Sequence, residues 1–158
     1  MTAELNIRAE YRLPLGELSG LALRPGGELL AAGDDKSGIA VVQLPETGDK
    51  WPDARRVALG PALHAAGAGR QYRTNWEAVA VDRAGGVGIL SEDGGLVVLG
   101  PGLEQVERVV RLQLGRPGRH GLRAPRTNSG GEGLALLPRD HLLVAVEKPP
   151  ATAARARS

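Results

Sequence analysis

The 158-residue sequence has no cysteine and no phenylalanine, and aromatic residues make up only 3% of it. Without cysteine there are no disulfides and no thiolate metal sites. The 42% hydrophobic share is mostly leucine, valine and alanine, which fill thin sheet layers more readily than a thick aromatic core. No apolar run approaches the roughly 18 residues that a membrane helix requires. Near the start, Glu4, Arg8, Glu10 and Arg12 break up the continuous apolar stretch that a signal peptide needs. The chain as written is therefore expected to be soluble and cytoplasmic. An excess of one charge is missing as well: 20 Lys+Arg against 18 Asp+Glu leave a formal +2. So weak a balance does not imply nucleic acid. What is abundant is backbone punctuation, with 23 glycines and 11 prolines, which argues against long helices.

An internal repeat organises the rest. Three segments align without a gap, starting at Ser19, Glu77 and Glu132, with offsets of 58 and 55 residues. In each, a small pair alternates with a branched apolar pair: Gly20/Ala22 with Leu21/Leu23, Ala78/Ala80 with Val79/Val81, and Gly133/Ala135 with Leu134/Leu136. Fifteen residues after each first position stands an acid, Asp34, Glu92 or Glu147. The period-two pattern predicts strands. The first unit reads as Gly20 to Leu23, a turn at Pro25-Gly26-Gly27, Leu29 to Ala32, a third strand from Ile39 to Leu44, and a fourth at Arg56 to Leu59. The second unit repeats this through Val87 to Leu90, Leu96 to Leu99 and Val106 to Leu114. Each unit is a four-stranded antiparallel meander of about 55 residues, the signature of a β-propeller blade. Small residues on the first strand suit the crowded axis of a propeller.

The expected fold is all-β: a β-propeller segment of four-stranded antiparallel blades, incomplete, occupying residues 1–150. The blade units lie at about 12–60, 72–115 and 128–150, the last incomplete, and 151–158 form a disordered tail. The alternative is a β-sandwich built of hairpins. Because propellers close with typically 4 to 8 blades, two and a half units imply a truncated gene product, a fragment, or a half that must assemble. Asn6 to Leu15 would supply the outer strand of a further blade.

The phrases Asn75-Trp-Glu-Ala-Val-Ala-Val-Asp82, Ile89-Leu-Ser-Glu92 and Asn128-Ser-Gly-Gly-Glu-Gly-Leu-Ala-Leu, followed by Val144-Ala-Val-Glu-Lys-Pro149, resemble the blade motifs of two related propeller families. These are the SdiA-regulated proteins and the proteins named for a phytase esterase-like domain. The resemblance covers about residues 12 to 150. It implies a propeller of about six blades, often exported or membrane-anchored, with calcium as a candidate cofactor in the central region.

Chemistry is expected on the repeat itself. Glu77 and Glu132, with Ser19 in the same column, stand where the inner strands begin and can face the mouth of an axial channel. With the amide oxygens of Asn75 and Asn128 they form a candidate Ca²⁺ site, since calcium takes 6 to 8 oxygen ligands, water included. The competing reading has these carboxylates binding backbone N–H groups or a neighbouring arginine, locking blade packing. The second acidic column, Asp34, Glu92 and Glu147, is expected to cap the following turn. At a shared rim it would instead pair with the first column, and such pairs bind metal or do acid–base work.

Arg108, Arg111, Arg116, Arg119, His120, Arg123 and Arg126 crowd into nineteen residues, with no interleaved aromatic for stacking on bases. Arg70 and Arg73 occupy the counterpart loop from Gly60 to Arg73. From these loops Arg70, Arg73, Arg123 and Arg126 are the candidate anion-binding residues, although a solvated inter-blade loop is the favoured account of the composition. Both loops precede an inner strand and so belong on the rim of the glutamate column. No GxSxG, HExxH or GxxxxGK[ST] motif occurs, and His64, His120 and His141 share no metal-ligand spacing.

Three readings of function follow. The first is a binding or interaction module with a calcium site at the channel rim, its partner a small anionic ligand or a protein. The second, implied by the family resemblance, is a metal-dependent hydrolase of phosphoester, ester or lactone substrates, and the third, which follows from the missing blades, is a non-functional remnant. Self-assembly or missing blades would complete the ring.

Overall fold

The computed structural model describes residues 13–33, 38–44, 53–68, 75–92, 94–112, 131–138 and 141–146. Its first sheet is a meander of β1 (Leu18–Leu23), β2 (Glu28–Gly33), β3 (Gly38–Gln43) and β4 (Asp53–Ala58), hydrogen-bonded in that order. The β1–β2 turn reverses at Gly26 and Gly27, whose φ angles of 100° and 89° belong to a region that side chains other than glycine seldom enter. A short helix, α1 (Gly60–Ala65), leads towards the second meander: β5 (Trp76–Val81), β6 (Val87–Ser91), β7 (Gly95–Leu99) and β8 (Val106–Arg111). The third sheet pairs β9 (Gly131–Leu137) with β10 (His141–Val146). All pairings are antiparallel.

The repeat seen in the sequence is a repeat of hydrogen-bond register. Leu18 faces Gly33 and Gly20 faces Ala32 in the first sheet. Trp76 faces Ser91 and Ala78 faces Leu90 in the second. Gly131 faces Val146 and Gly133 faces Ala145 in the third. In each case the register slips across one residue, which is Ser19, Glu77 or Glu132. The first column of the repeat is thus a β-bulge made three times, a device that bends a strand and re-aims a side chain.

The three sheets stack in chain order with β1, β5 and β9 side by side, the arrangement of consecutive propeller blades. Small residues permit this approach. A Cβ placed on Gly20 would lie 2.9 Å from Ala78 Cα and from Val79 N, and 3.1 Å from the Glu77 carbonyl oxygen. At the next junction, a Cβ on Gly88 would meet the side chains of Leu136 at 3.1 Å and Leu134 at 3.2 Å. The main core fills the space between the first two sheets, with Leu30, Ala32, Ile39 and Val41 on one side and Trp76, Val79, Val87 and Ile89 on the other. Leu59 and Leu63 close it at one end and Leu103 at the other. On the far face of the first sheet, Ala31, Ala40 and Val42 are covered by Leu13 and Leu15.

Four local expectations are adjusted. The Gly60 to Arg73 segment contains α1, because Pro61 is suited to a first helical turn and Leu63 has a core to enter. The third strand stops at Gln43, before Leu44. The fourth strands run Asp53–Ala58 and Val106–Arg111, and Leu59 turns inward as a plug. Residues 13–15 are not strand; they pack over the first sheet, while 6–12 lie outside the described residues. The 151–158 tail lies outside them too.

Candidate functional site

The meander connectivity places the starts of β1, β5 and β9, the ends of β2, β6 and β10, and α1 at one rim. The last described residues before the two long connections, Ala68 and Leu112, and the first after them, Asn75 and Gly131, bound segments whose loop arginines lie outside the described residues. The bulged column lies on the rim: Ser19 and Glu132 are exposed and Glu77 is half-buried. Glu77 is already engaged in an interaction within the protein.

Asn75 stands one residue before β5 and has φ of 58°, a left-handed conformation that asparagine tolerates better than most residues. The turn lets it meet the end of β6 twice. Its carbonyl accepts the Glu92 N–H at 2.9 Å, and its Nδ2 donates to Glu92 Oε2 at 3.1 Å. Glu92 therefore stands at the same end of the second sheet as Glu77 and is held by Asn75, whereas Asp34 and Glu147 of its column lie outside the described residues. The task of satisfying the following turn falls to Ser91, which is fully buried. Its Oγ accepts the Gly95 N–H at 2.9 Å and donates to the Gly95 carbonyl at 3.2 Å.

Of the residues singled out from the sequence, Asn128, Arg70, Arg73, Arg123, Arg126, Asp34 and Glu147 lie outside the described residues. Glu77, Asn75 and Glu92 are brought to one end of the second sheet, and Glu132 holds the same column on the third. Among the described residues no three His, Cys, Asp or Glu side chains gather as a metal cluster. The polar groups at the rim offer oxygen, which is the donor type for a hard cation.

A family model described as phytase-like, with esterase-like activity of phytase, matches residues 13–157. The chain belongs to the phytase-like family. The match selects one of the two families that the blade motifs resemble, and it spans all three sheets of the phytase-like chain. No curated protein matches it. No helix among the described residues is long and apolar enough to cross a membrane.

Two features of the phytase-like chain escaped the sequence reading. The bulge has no residue signature of its own, since serine and glutamate both occupy it; only the fixed offset between columns hinted at a shared geometry. The other is a groove of about 340 Å³ along the outer half of the second sheet, beside β10, lined by Asp82, Val98, Glu107, Arg108, Leu137 and His141 among others. It is assembled by the stacking of the third sheet on the second, which no local pattern records.

Proposed function

We propose that the protein is a binding module of the phytase-like β-propeller type, whose ligand meets the rim where the inner strands begin, with Ca²⁺ as the cation. The observation carrying this reading is the threefold bulge at Ser19, Glu77 and Glu132. Bulges are over-represented at barrel rims and beside active sites because they redirect a side chain out of the alternation. An acid carried on such a bulge in two successive sheets points to a common use. Glu77 and Glu132 would hold the ion, with Asn75 and Asn128 adding amide oxygens. The residue is already committed in part: Asn75 spends its amide N–H on Glu92, an arrangement that leaves its oxygen as the group to offer.

The test is a calcium titration followed by thermal unfolding. Binding to the folded form alone raises stability by RT ln(1 + [L]/Kd), about 2.7 kcal/mol at a hundredfold excess over Kd. The wild-type melt should rise with calcium and that of Glu77→Gln/Glu132→Gln should not. A wild-type melt indifferent to calcium removes the metal site.

The family description, which refers to esterase-like activity, favours a second reading. In it the rim would hydrolyse a phosphoester, ester or lactone: Glu77 and Glu132 would hold a cation that supplies Lewis-acid chemistry when bound, and Arg70, Arg73, Arg123 and Arg126 would orient an anionic substrate. Turnover of a generic phosphoester, abolished by a chelator and by the same two substitutions, is the outcome this reading requires.

A further inference from the structure

Asn75 and Glu92 meet through two hydrogen bonds, and only one of them is needed to join their strands. The backbone bond, from the Glu92 N–H to the Asn75 carbonyl at 2.9 Å, already extends the β5–β6 ladder beyond the Trp76–Ser91 pair. The turn that follows β6 is served by the Ser91 hydroxyl. The Glu92 carboxylate is left over from both tasks. Among the described residues its one hydrogen bond is the 3.1 Å contact with Asn75 Nδ2.

That contact decides which way the amide lies. An ionised carboxylate only accepts, so the group of Asn75 that turns to it is the NH₂. The amide is planar, with nitrogen and oxygen on opposite branches, and Oδ1 is therefore directed away from Glu92. Among the described residues Oδ1 meets no donor. The backbone of Asn75 is fixed by the same neighbour, in a left-handed conformation with φ of 58°. One acceptor atom is thus held without a partner on a half-buried residue, two positions before the bulged Glu77.

We propose that Glu92 is a positioning residue: it holds Asn75 so that the rim presents an amide oxygen, which selects a cation or a hydrogen-bond donor and keeps the N–H from anions. The identity of the cation rests on the calcium reading above, with Asn75 as a ligand and Glu92 as the group behind it. Partners of this kind orient the ligands of a metal, and losing one lowers metal affinity about 10- to 100-fold.

The orientation is read without calcium, from the side-chain amide signals of Asn75 in an isotope-labelled chain, assigned by their loss in Asn75→Asp. In the wild type one proton of the pair should be displaced from the free-amide position and exchange slowly with water, and Glu92→Ala should return it. A wild-type pair with the shift and exchange of a solvated amide overturns the proposal. So does a pair that moves on addition of inorganic phosphate, which shows the N–H turned to an anion. Both of these measurements need only the wild-type chain. The second arm follows the melt in calcium chloride. Glu92→Gln, whose amide donates as well as accepts, frees Asn75 to turn over and should weaken calcium binding about tenfold or more, with the calcium-free melt barely changed. In Asn75→Asp/Glu92→Gln the new amide donates to one carboxylate oxygen and leaves the other in place, so the double variant should recover the calcium response that Glu92→Gln loses. An equal calcium response in the wild type and Glu92→Gln overturns the positioning role. A wild-type melt that ignores calcium removes the metal reading alone, and the amide signals then decide the proposal by themselves.

Discussion

Adding one methyl group at Gly20 tests the claim that backbone proximity, and not side-chain filling, joins the first two sheets. The Cβ of Gly20→Ala would lie 2.9 Å from Ala78 Cα and from Val79 N, whereas unstrained carbon contacts fall at about 3.5 to 4.0 Å. Both obstacles are main-chain atoms of β5, so β1 must withdraw by about half an ångström or more, loosening the core beneath it. Overpacking of this kind costs about 1 to 3 kcal/mol. Alanine also narrows the unfolded ensemble, which offsets about 0.4 to 1 kcal/mol of that cost. The net loss is about 1 to 2 kcal/mol, a melting point lower by roughly 3 to 8 °C. Gly88→Ala is the matched control: its Cβ would meet only the side-chain ends of Leu134 and Leu136, at 3.1 to 3.3 Å, and these can rotate away. It should stay within about 0.5 kcal/mol of wild type. Urea melts with an unchanged slope would place the effect in the folded state. The reasoning is refuted if Gly20→Ala is as stable as wild type, or if Gly88→Ala is the more damaging of the two.

Ser91→Ala deletes the hydroxyl that serves both the N–H and the carbonyl of Gly95 in a fully buried position. It should cost about 1 to 3 kcal/mol in a denaturant melt. Asp82→Ala removes the carboxylate oxygen that accepts the N–H groups of Ala84 and Gly86, each at 2.8 Å, for a loss of about 1 kcal/mol; Asp82→Asn, which keeps an acceptor, should recover most of it. Leu63→Ala empties the α1 plug, whose side chain is 1% exposed, and should lower stability by about 2 to 4 kcal/mol. Arg24→Ala loses an ion pair with Glu28 and a bond to the Pro101 carbonyl, both at 2.6 Å. Because the pair is partly solvated, its melt should fall by no more than about 1 kcal/mol beyond that of Glu28→Ala.

The hairpins, their turns and the three-unit period are all legible in the sequence, because period-two alternation and Gly/Pro turns are local signals that the sheets leave intact. The small column is legible for a different reason: Gly20, Ala78 and Gly133 are too small to fill a core, so their recurrence had to mean proximity. The helix at Gly60–Ala65 was not legible. Six residues provide too little periodicity, and Leu63 becomes helical because it has a gap between two sheets to fill. The partner of Glu92 was hidden for a similar reason. Capping of its own turn is the expected local use of an acid at a strand end, but Ser91, one residue earlier and buried, already serves that turn. Glu92 is then available to Asn75, a residue 17 positions away that reaches it through a left-handed turn.

The bulge ties the packing of the sheets to the chemistry of the rim. Skipping one residue in the β5–β6 register at Glu77 interrupts the alternation, so that the residues on either side of it, Trp76 and Ala78, remain paired while Glu77 itself is released from the ladder. The carbonyl of that same released residue lies within reach of a Cβ on Gly20, which makes the acid of one sheet the backbone neighbour of the small residue of the sheet before it. The two columns of the repeat are therefore a single device, met from opposite sides of a junction. A bulkier first-strand residue would displace the rim acid of the next sheet along with the sheet. Keeping the volume of Gly20 small is thus a condition for the geometry of Glu77 at the junction of the first two sheets.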